Sequence, residues 1–87
     1  MKVTLLYTRD TEADRDIEEL KRQMEAARIP LAEVDADSRD GAAITELYDL
    51  PGRPAVLITD DQGRLAQSWQ VTLPSLDQIR ANYVAVP

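Results

Sequence analysis

Residues 47–58 read Leu-Tyr-Asp-Leu-Pro-Gly-Arg-Pro-Ala-Val-Leu-Ile and join the end of a helix to a strand. Pro51 and Gly52 end the helix, because a proline–glycine pair interrupts regular structure. The run Ala55–Ile58 is apolar throughout, which is typical of a strand buried on both faces. Such a strand needs cover on each side, so this stretch predicts a layered α/β fold.

The chain begins with a predicted strand over residues 2–7, followed by a long amphipathic helix. Thr11 is the predicted N-cap of this helix, which we expect to end near Arg28, ahead of Pro30. Its apolar residues recur at spacings of three and four, as on one face of an α-helix. They are Ala13, Ile17, Leu20, Met24 and Ala27.

Residues 31–35 form a second, shorter predicted strand, whose acidic residues suit the edge of a sheet. A second helix is predicted over residues 40–49, with Ser38 or Asp40 as its N-cap. We expect the buried side of this helix to carry Ala43, Ile44, Leu47 and Tyr48.

A hairpin and a third helix complete the predicted fold. Residues 60–63 supply the turn, in which Gly63 suits a positive φ. We expect one side of the next strand to carry Leu65, Gln67, Trp69 and Val71. The third helix begins near Ser75, with Gln78 as its capping-box partner. Its apolar stripe is Leu76, Ile79, Tyr83 and Val86. The order β-α-β-α-β-β-α predicts a single domain over residues 1–87, with a mixed four-stranded sheet flanked by helices on both faces.

The composition excludes several kinds of chemistry. The 87 residues include no cysteine and no histidine, so thiol–disulfide chemistry is impossible and we expect no transition metal or other cofactor. The net charge of −6 argues against nucleic-acid and anionic-membrane partners, since both require a basic surface. No apolar run approaches the ~20 residues of a membrane-spanning helix, and no signal segment is recognisable, so we expect a soluble cytoplasmic protein.

Three segments together resemble the thioredoxin/glutaredoxin superfamily. Residues 3–8 are similar to its first strand and following turn, residues 47–58 to its helix–loop–proline–strand module, and residues 61–64 to its hairpin. The resemblance spans nearly the whole chain and implies a thioredoxin-like fold. It also implies that the bond between Arg53 and Pro54 is cis, and that Pro54 lies against the turn before the first helix.

The chain departs from this family at the reactive positions. The family's Cys-x-x-Cys aligns near residues 12–15, so that Glu12 and Arg15 stand at or beside the two thiol positions. A glycine that is usual after the last strand is replaced by Val71 and Thr72. The resemblance therefore implies a cysteine-less member with a ligand groove between the Glu12 turn and Pro54. The implied groove residues are Tyr7, Thr8, Thr11, Glu12, Arg15, Arg53 and Pro54.

These residues also have simpler interpretations. The polar residues around Thr11 are typical of ordinary helix capping and solvated charge. By resemblance, Arg53 offers its backbone N–H and C=O to a ligand. Its side chain either grips a carboxylate or balances Glu12 or Asp14. Tyr7 ends the first strand beside the turn, and we expect its hydroxyl to face the groove.

Three functions follow from these alternatives. A non-redox binding module would hold an extended peptide or partner protein in the groove. This hypothesis needs the fewest features that the chain does not have. A thiol-independent glutathione-binding protein or enzyme would rely on Tyr7, Thr8, Thr11 or Arg15. A self-associating accessory subunit would pair copies through its edge strands or a Leu65/Trp69/Val71 face. Of these, the binding module is the leading hypothesis, and enzymatic activity is not expected.

Overall fold

A computed structural model describes residues 1–83 of the chain. Within that range the predicted order β-α-β-α-β-β-α is confirmed. The elements are β1 (Lys2–Tyr7), α1 (Asp14–Ala26), β2 (Leu31–Asp35), α2 (Arg39–Tyr48), β3 (Ala55–Thr59), β4 (Leu65–Gln70) and α3 (Leu76–Asn82). None of the helices in this range has the length and apolar character that a membrane crossing requires.

The four strands form one mixed sheet in the order β2-β1-β3-β4. β1 and β2 are parallel, with Val3 opposite Leu31, as a β-α-β crossover requires. β3 runs antiparallel to β1, and β4 runs antiparallel to β3. The predicted sheet is therefore confirmed, and its topology is consistent with a thioredoxin-like fold.

Helices cover both faces of the sheet, as predicted. Because side chains alternate along a strand, Leu5 of β1 and Leu6 of β1 point to opposite faces. The larger core joins one sheet face to α1 and α3; its buried members are Val3, Leu5, Tyr7, Ile17, Leu20, Met24, Val56, Ile58 and Ile79. The smaller core lies under α2 and contains Leu6, Ala36 and Ala55, with Val34 and Ile44 packed against it.

The first helix begins later than its sequence pattern suggests. It starts at Asp14, and Ala13 occupies the N-cap position without a side-chain cap, so the prediction of Thr11 as N-cap is wrong. The Asp14 carboxylate instead accepts hydrogen bonds from the backbone N–H of Asp10 at 3.1 Å and of Thr11 at 3.3 Å. This reach back along the chain holds the residues before Ala13 in a turn. The helix ends at Ala26, slightly before the predicted end.

The second helix has a confirmed cap and a different buried side. The Ser38 hydroxyl accepts a hydrogen bond from the Gly41 N–H at 3.0 Å. Leu47, predicted to be buried, is 72% exposed, and Ala43 is exposed as well. The side facing the sheet carries Gly41, Ile44 and Tyr48, whose spacings of three and four place them on one stripe. Leu47 and Ala43 therefore lie on the outer flank.

A register shift changes the predicted faces of β4. Trp69 lies opposite Val56, but beyond the irregularity Leu65 lies opposite Thr59. Val56 and Thr59 point to opposite faces of β3, and cross-strand partners share a face. Leu65 and Trp69 therefore point to opposite faces, and the predicted common face is wrong. A β-bulge of this kind is invisible to a simple alternation count.

The connecting turn and the last helix agree with the predictions. Gly63 has φ +79°, the positive value that its place in the turn predicts. In the same turn, the backbone N–H of Arg64 and, to a smaller extent, that of Gln62 donate hydrogen bonds that lower the pKa of the Asp60 carboxyl. Ser75 and Gln78 form the predicted capping box of α3. Within the predicted stripe Ile79 is fully buried, Leu76 and Tyr83 are partly buried, and Val86 lies outside the described residues.

Candidate functional site

A cleft of about 400 Å³ lies between the turn before α1 and the loop before β3. The Arg53–Pro54 peptide bond in that loop is cis, as the resemblance implied. Five of the seven predicted groove residues line the cleft: Thr8, Thr11, Glu12, Arg53 and Pro54. Ala13 and Val71, which were not in the predicted set, complete the lining. The structure thus places the turn before α1 next to the loop that contains Pro54, as the resemblance implied.

Tyr7 and Arg15 are not among the residues that line this cleft. The Tyr7 hydroxyl donates a hydrogen bond to Glu33 Oε1 at 3.0 Å, so it faces β2 and not the groove, contrary to the prediction. Glu33 Oε1 also lies 3.2 Å from Lys21 Nζ. Hydrogen bonds to Glu18 and to Glu33 raise the pKa of the Lys21 ammonium. Tyr7 therefore belongs to a polar cluster on the other side of α1.

The Arg53 side chain supports the loop instead of reaching for a ligand. Its Nη1 donates to the backbone carbonyl oxygens of Leu50 at 2.6 Å and Gly52 at 3.1 Å, and its Nη2 donates to Thr45 Oγ1 at 2.6 Å. Thr45 belongs to the last turn of α2, and Leu50 and Gly52 lie in the loop that follows, so the guanidinium ties this loop to the end of the helix. Both interpretations made from the sequence, a carboxylate grip and a balance for Glu12 or Asp14, are replaced by this role.

We expect Arg53→Met to destabilise the domain by about 2 kcal/mol, because it removes hydrogen bonds from a charged donor to half-buried acceptors. Arg53→Lys should recover only part of the loss, since an ammonium lacks the planar fork of donors. Urea unfolding monitored by circular dichroism measures both. Arg22→Met is the matched control, because Arg22 is 74% exposed and its one partner within residues 1–83 is Glu19 on the surface. Equal losses of unfolding free energy in Arg22→Met and Arg53→Met would contradict a role of the Arg53 side chain in holding the loop.

The backbone of Arg53 is open toward the cleft. Pairing between β1 and β3 ends with Leu6 opposite Ala55, and the carbonyl of Pro54 turns toward β4, where it accepts from the Val71 N–H at 2.8 Å. Arg53 lies in a bend immediately before β3 and is one of the residues that line the cleft. Within residues 1–83 its N–H and C=O make no hydrogen bond.

Val71 closes one side of the cleft in an unusual conformation. Its φ is +71°, and the N–H of Thr72 bonds to the carbonyl of Gln70 at 2.8 Å across it, which makes Val71 the centre of a γ-turn. Positive φ is rare for β-branched residues because the side chain crowds the backbone. Val71 is nevertheless 67% exposed, so its side chain contributes little burial in return.

We expect Val71→Gly to stabilise the domain by about 1 kcal/mol, because the relief of backbone crowding exceeds the entropy that glycine adds to the unfolded chain. Val71→Ala retains a Cβ and should gain less. Urea unfolding midpoints of the three proteins provide the measurement. A clear loss of stability in Val71→Gly would mean that the valine side chain packs against the domain more than its exposure indicates.

A second cleft of about 530 Å³ continues from the first between α1 and α3. The two clefts share Ala13, Pro54 and Val71, so they form one continuous depression, the Pro54 groove. The wall contributed by α1 carries carboxylates at Asp16 and Glu19, in addition to Glu12 beside the first cleft. The opposite wall is formed by residues 72–75 and Gln78.

Comparison with known proteins adds no further assignment: no protein-family model matches the chain, and no curated protein sequence matches it. Among residues 1–83 no group of three or more acidic side chains is placed to hold a metal ion. Asp35, one of the acidic residues near α2, accepts a hydrogen bond from the Asp37 N–H at 2.9 Å and so shapes a turn. The Pro54 groove is therefore the candidate binding site of this chain.

Proposed function

We propose that this chain is a degenerate, cysteine-less member of the thioredoxin-like superfamily and acts as a non-redox binding module. Its ligand is an extended peptide or a segment of a partner protein, held in the Pro54 groove. The observation that carries this proposal is the open backbone of Arg53 beside the cis proline. Its N–H and C=O form a ready pairing edge inside a concave site.

The position of Arg53 explains why an extended ligand fits. β1 would lie next to residue 53 if it continued, but the chain turns away after Tyr7 into α1. In this proposal an added peptide occupies the space beside Arg53 and pairs with its main chain. The Arg53 guanidinium holds the loop against α2, so this edge is pre-organised before a ligand arrives.

Selection from a displayed library of random twelve-residue peptides tests the proposal. The selected peptides are titrated into ¹⁵N-labelled protein, and we expect amide shifts at residues 8–15 and 52–55, with slower solvent exchange at the Arg53 amide. A scrambled peptide of equal composition is the control for non-specific contact. Absence of any peptide that maps to these residues, or shifts centred on the exposed outer flank of α2, would contradict the proposal.

Glutathione is a second extended ligand that the same backbone edge would accept. Titration of glutathione into the labelled protein separates the two cases, because a glutathione-binding protein would show saturable shifts at Arg53 and Thr11. We expect none at millimolar glutathione, since the exposed Val71 side chain lies where the family resemblance calls for a glycine.

Self-association through β4 is disfavoured by the structure of its free edge. The outward N–H of Ser68 already bonds to Gln67 Oε1 at 2.9 Å, and the outward carbonyl of Gln70 accepts from Thr72. The register shift leaves Ala66 without a partner in β3. Edges protected in this manner pair poorly with a second copy.

A further inference from the structure

The side chain of Val71 provides an apolar contact point at the centre of the groove. It borders both clefts, stays 67% exposed and sits at a backbone conformation that glycine would adopt more easily. An apolar side chain of a bound peptide would cover Val71 together with Pro54 and Leu73. Burial of this kind is favourable in proportion to the apolar area removed from water.

The charged side chains that line the groove and have no partner are acidic. Glu12 and Asp16 make no ion pair within residues 1–83, while Glu19 is paired with Arg22. Arg53 is the one basic residue among the described residues that line the two clefts, and its guanidinium is engaged by Thr45 and by carbonyls of the loop after α2. A ligand therefore meets two carboxylates without an ion-pair partner, Glu12 in the turn before α1 and Asp16 on α1.

From these contacts we infer that the occupant of the Pro54 groove is a basic extended peptide. One apolar side chain of that peptide packs on Val71 and Pro54, and neighbouring lysine or arginine side chains lie beside Glu12 and Asp16. This inference rests on the proposed function and names the class of ligand. Charge complementarity selects the basic class, because an acidic peptide would place like charges along α1 without a cation to offset them.

The peptides selected from the random library test the inference through their composition. We expect lysine and arginine at more than twice their frequency in the unselected library, aspartate and glutamate below theirs, and an apolar residue within two positions of a basic one. Removing both carboxylates in Glu12→Gln/Asp16→Asn should weaken binding of the selected peptides roughly fivefold at low salt, and less at high salt. Val71→Thr preserves shape and branching, and should also weaken binding.

A matched variant separates the groove from the general negative charge of the chain. Asp37→Asn/Glu46→Gln makes the same change in net charge at exposed residues outside both clefts, and it should leave binding within twofold of the original. Equal weakening by the two double variants would overturn the inference. Peptides that map to the groove but are neutral or acidic would overturn it while leaving the proposed function intact. Failure of every peptide to map to the groove would overturn both.

Discussion

Gly41→Ala is expected to destabilise the domain by about 3 kcal/mol, the upper range for overpacking a rigid contact. In an exposed helix the same change normally stabilises by about 1 kcal/mol, because alanine is the better helix former. Here a Cβ on residue 41 would lie 2.1 Å from the backbone oxygen of Asp35 and 2.8 Å from Cα of Ala36. Both neighbours are backbone atoms, so no side-chain rotation relieves the clash. The first turn of α2 would have to move away from the end of β2.

Urea unfolding measures this effect, with Ala42→Gly as the control in the same turn. Ala42 is exposed, so its replacement should destabilise by about 1 kcal/mol through helix propensity alone. Displacement of α2 should also weaken the packing of Ile44 against the smaller core, which amide hydrogen exchange along α2 would detect. A Gly41→Ala protein as stable as the original would show that α2 does not approach β2 this closely.

Gly41 illustrates what the sequence did and did not predict about the fold. Local signals gave correct answers at Ser38, which caps α2, and at Gly63 in the hairpin, but not at Thr11, which does not cap α1. The order of elements followed from their periodicity. The buried side of α2 was missed because a glycine carries no apolar signal, although Gly41 is the buried residue of this helix. Leu47 is more hydrophobic than Gly41 and was therefore predicted to be buried, but it lies on the exposed flank of α2.

The candidate site, like the fold, was predicted only in part from the sequence. Pro54 and the Glu12 turn come together in the structure, and the family resemblance was the source of that pairing. The direction of the Arg53 side chain was not predictable, because its acceptors are backbone carbonyls that appear only once α2 and the loop have folded. The role of Asp14 was missed because its carboxylate bonds backward along the chain. Val71 was recognised as a missing glycine and was assigned to a face of the fourth strand, but β4 ends at Gln70 and the γ-turn at Val71 is a property of the folded loop.

Ile79→Ala is expected to destabilise the domain by about 3 kcal/mol, the range for an aliphatic side chain removed from a packed core. Ile79 is fully buried and is the one buried residue in α3, a helix of seven residues. A helix this short has little stability of its own, so its position depends on that side chain. α3 and the segment before it form one wall of the Pro54 groove through Ser75 and Gln78. Removal of the Ile79 side chain should therefore destabilise one wall of the Pro54 groove as well as the core.

The two consequences of Ile79→Ala can be measured separately. Urea unfolding reports the global loss, while hydrogen exchange below the unfolding transition reports whether the amides of α3 open ahead of those of β1 and β3. Leu47→Ala is the control: it removes the same number of carbon atoms from a residue that is 72% exposed and should change stability by less than about 0.5 kcal/mol. If α3 exchanges no faster in Ile79→Ala than in the original chain, its attachment does not depend on Ile79. In that case the groove wall is held by the capping box and by the packing of Leu76 and Tyr83.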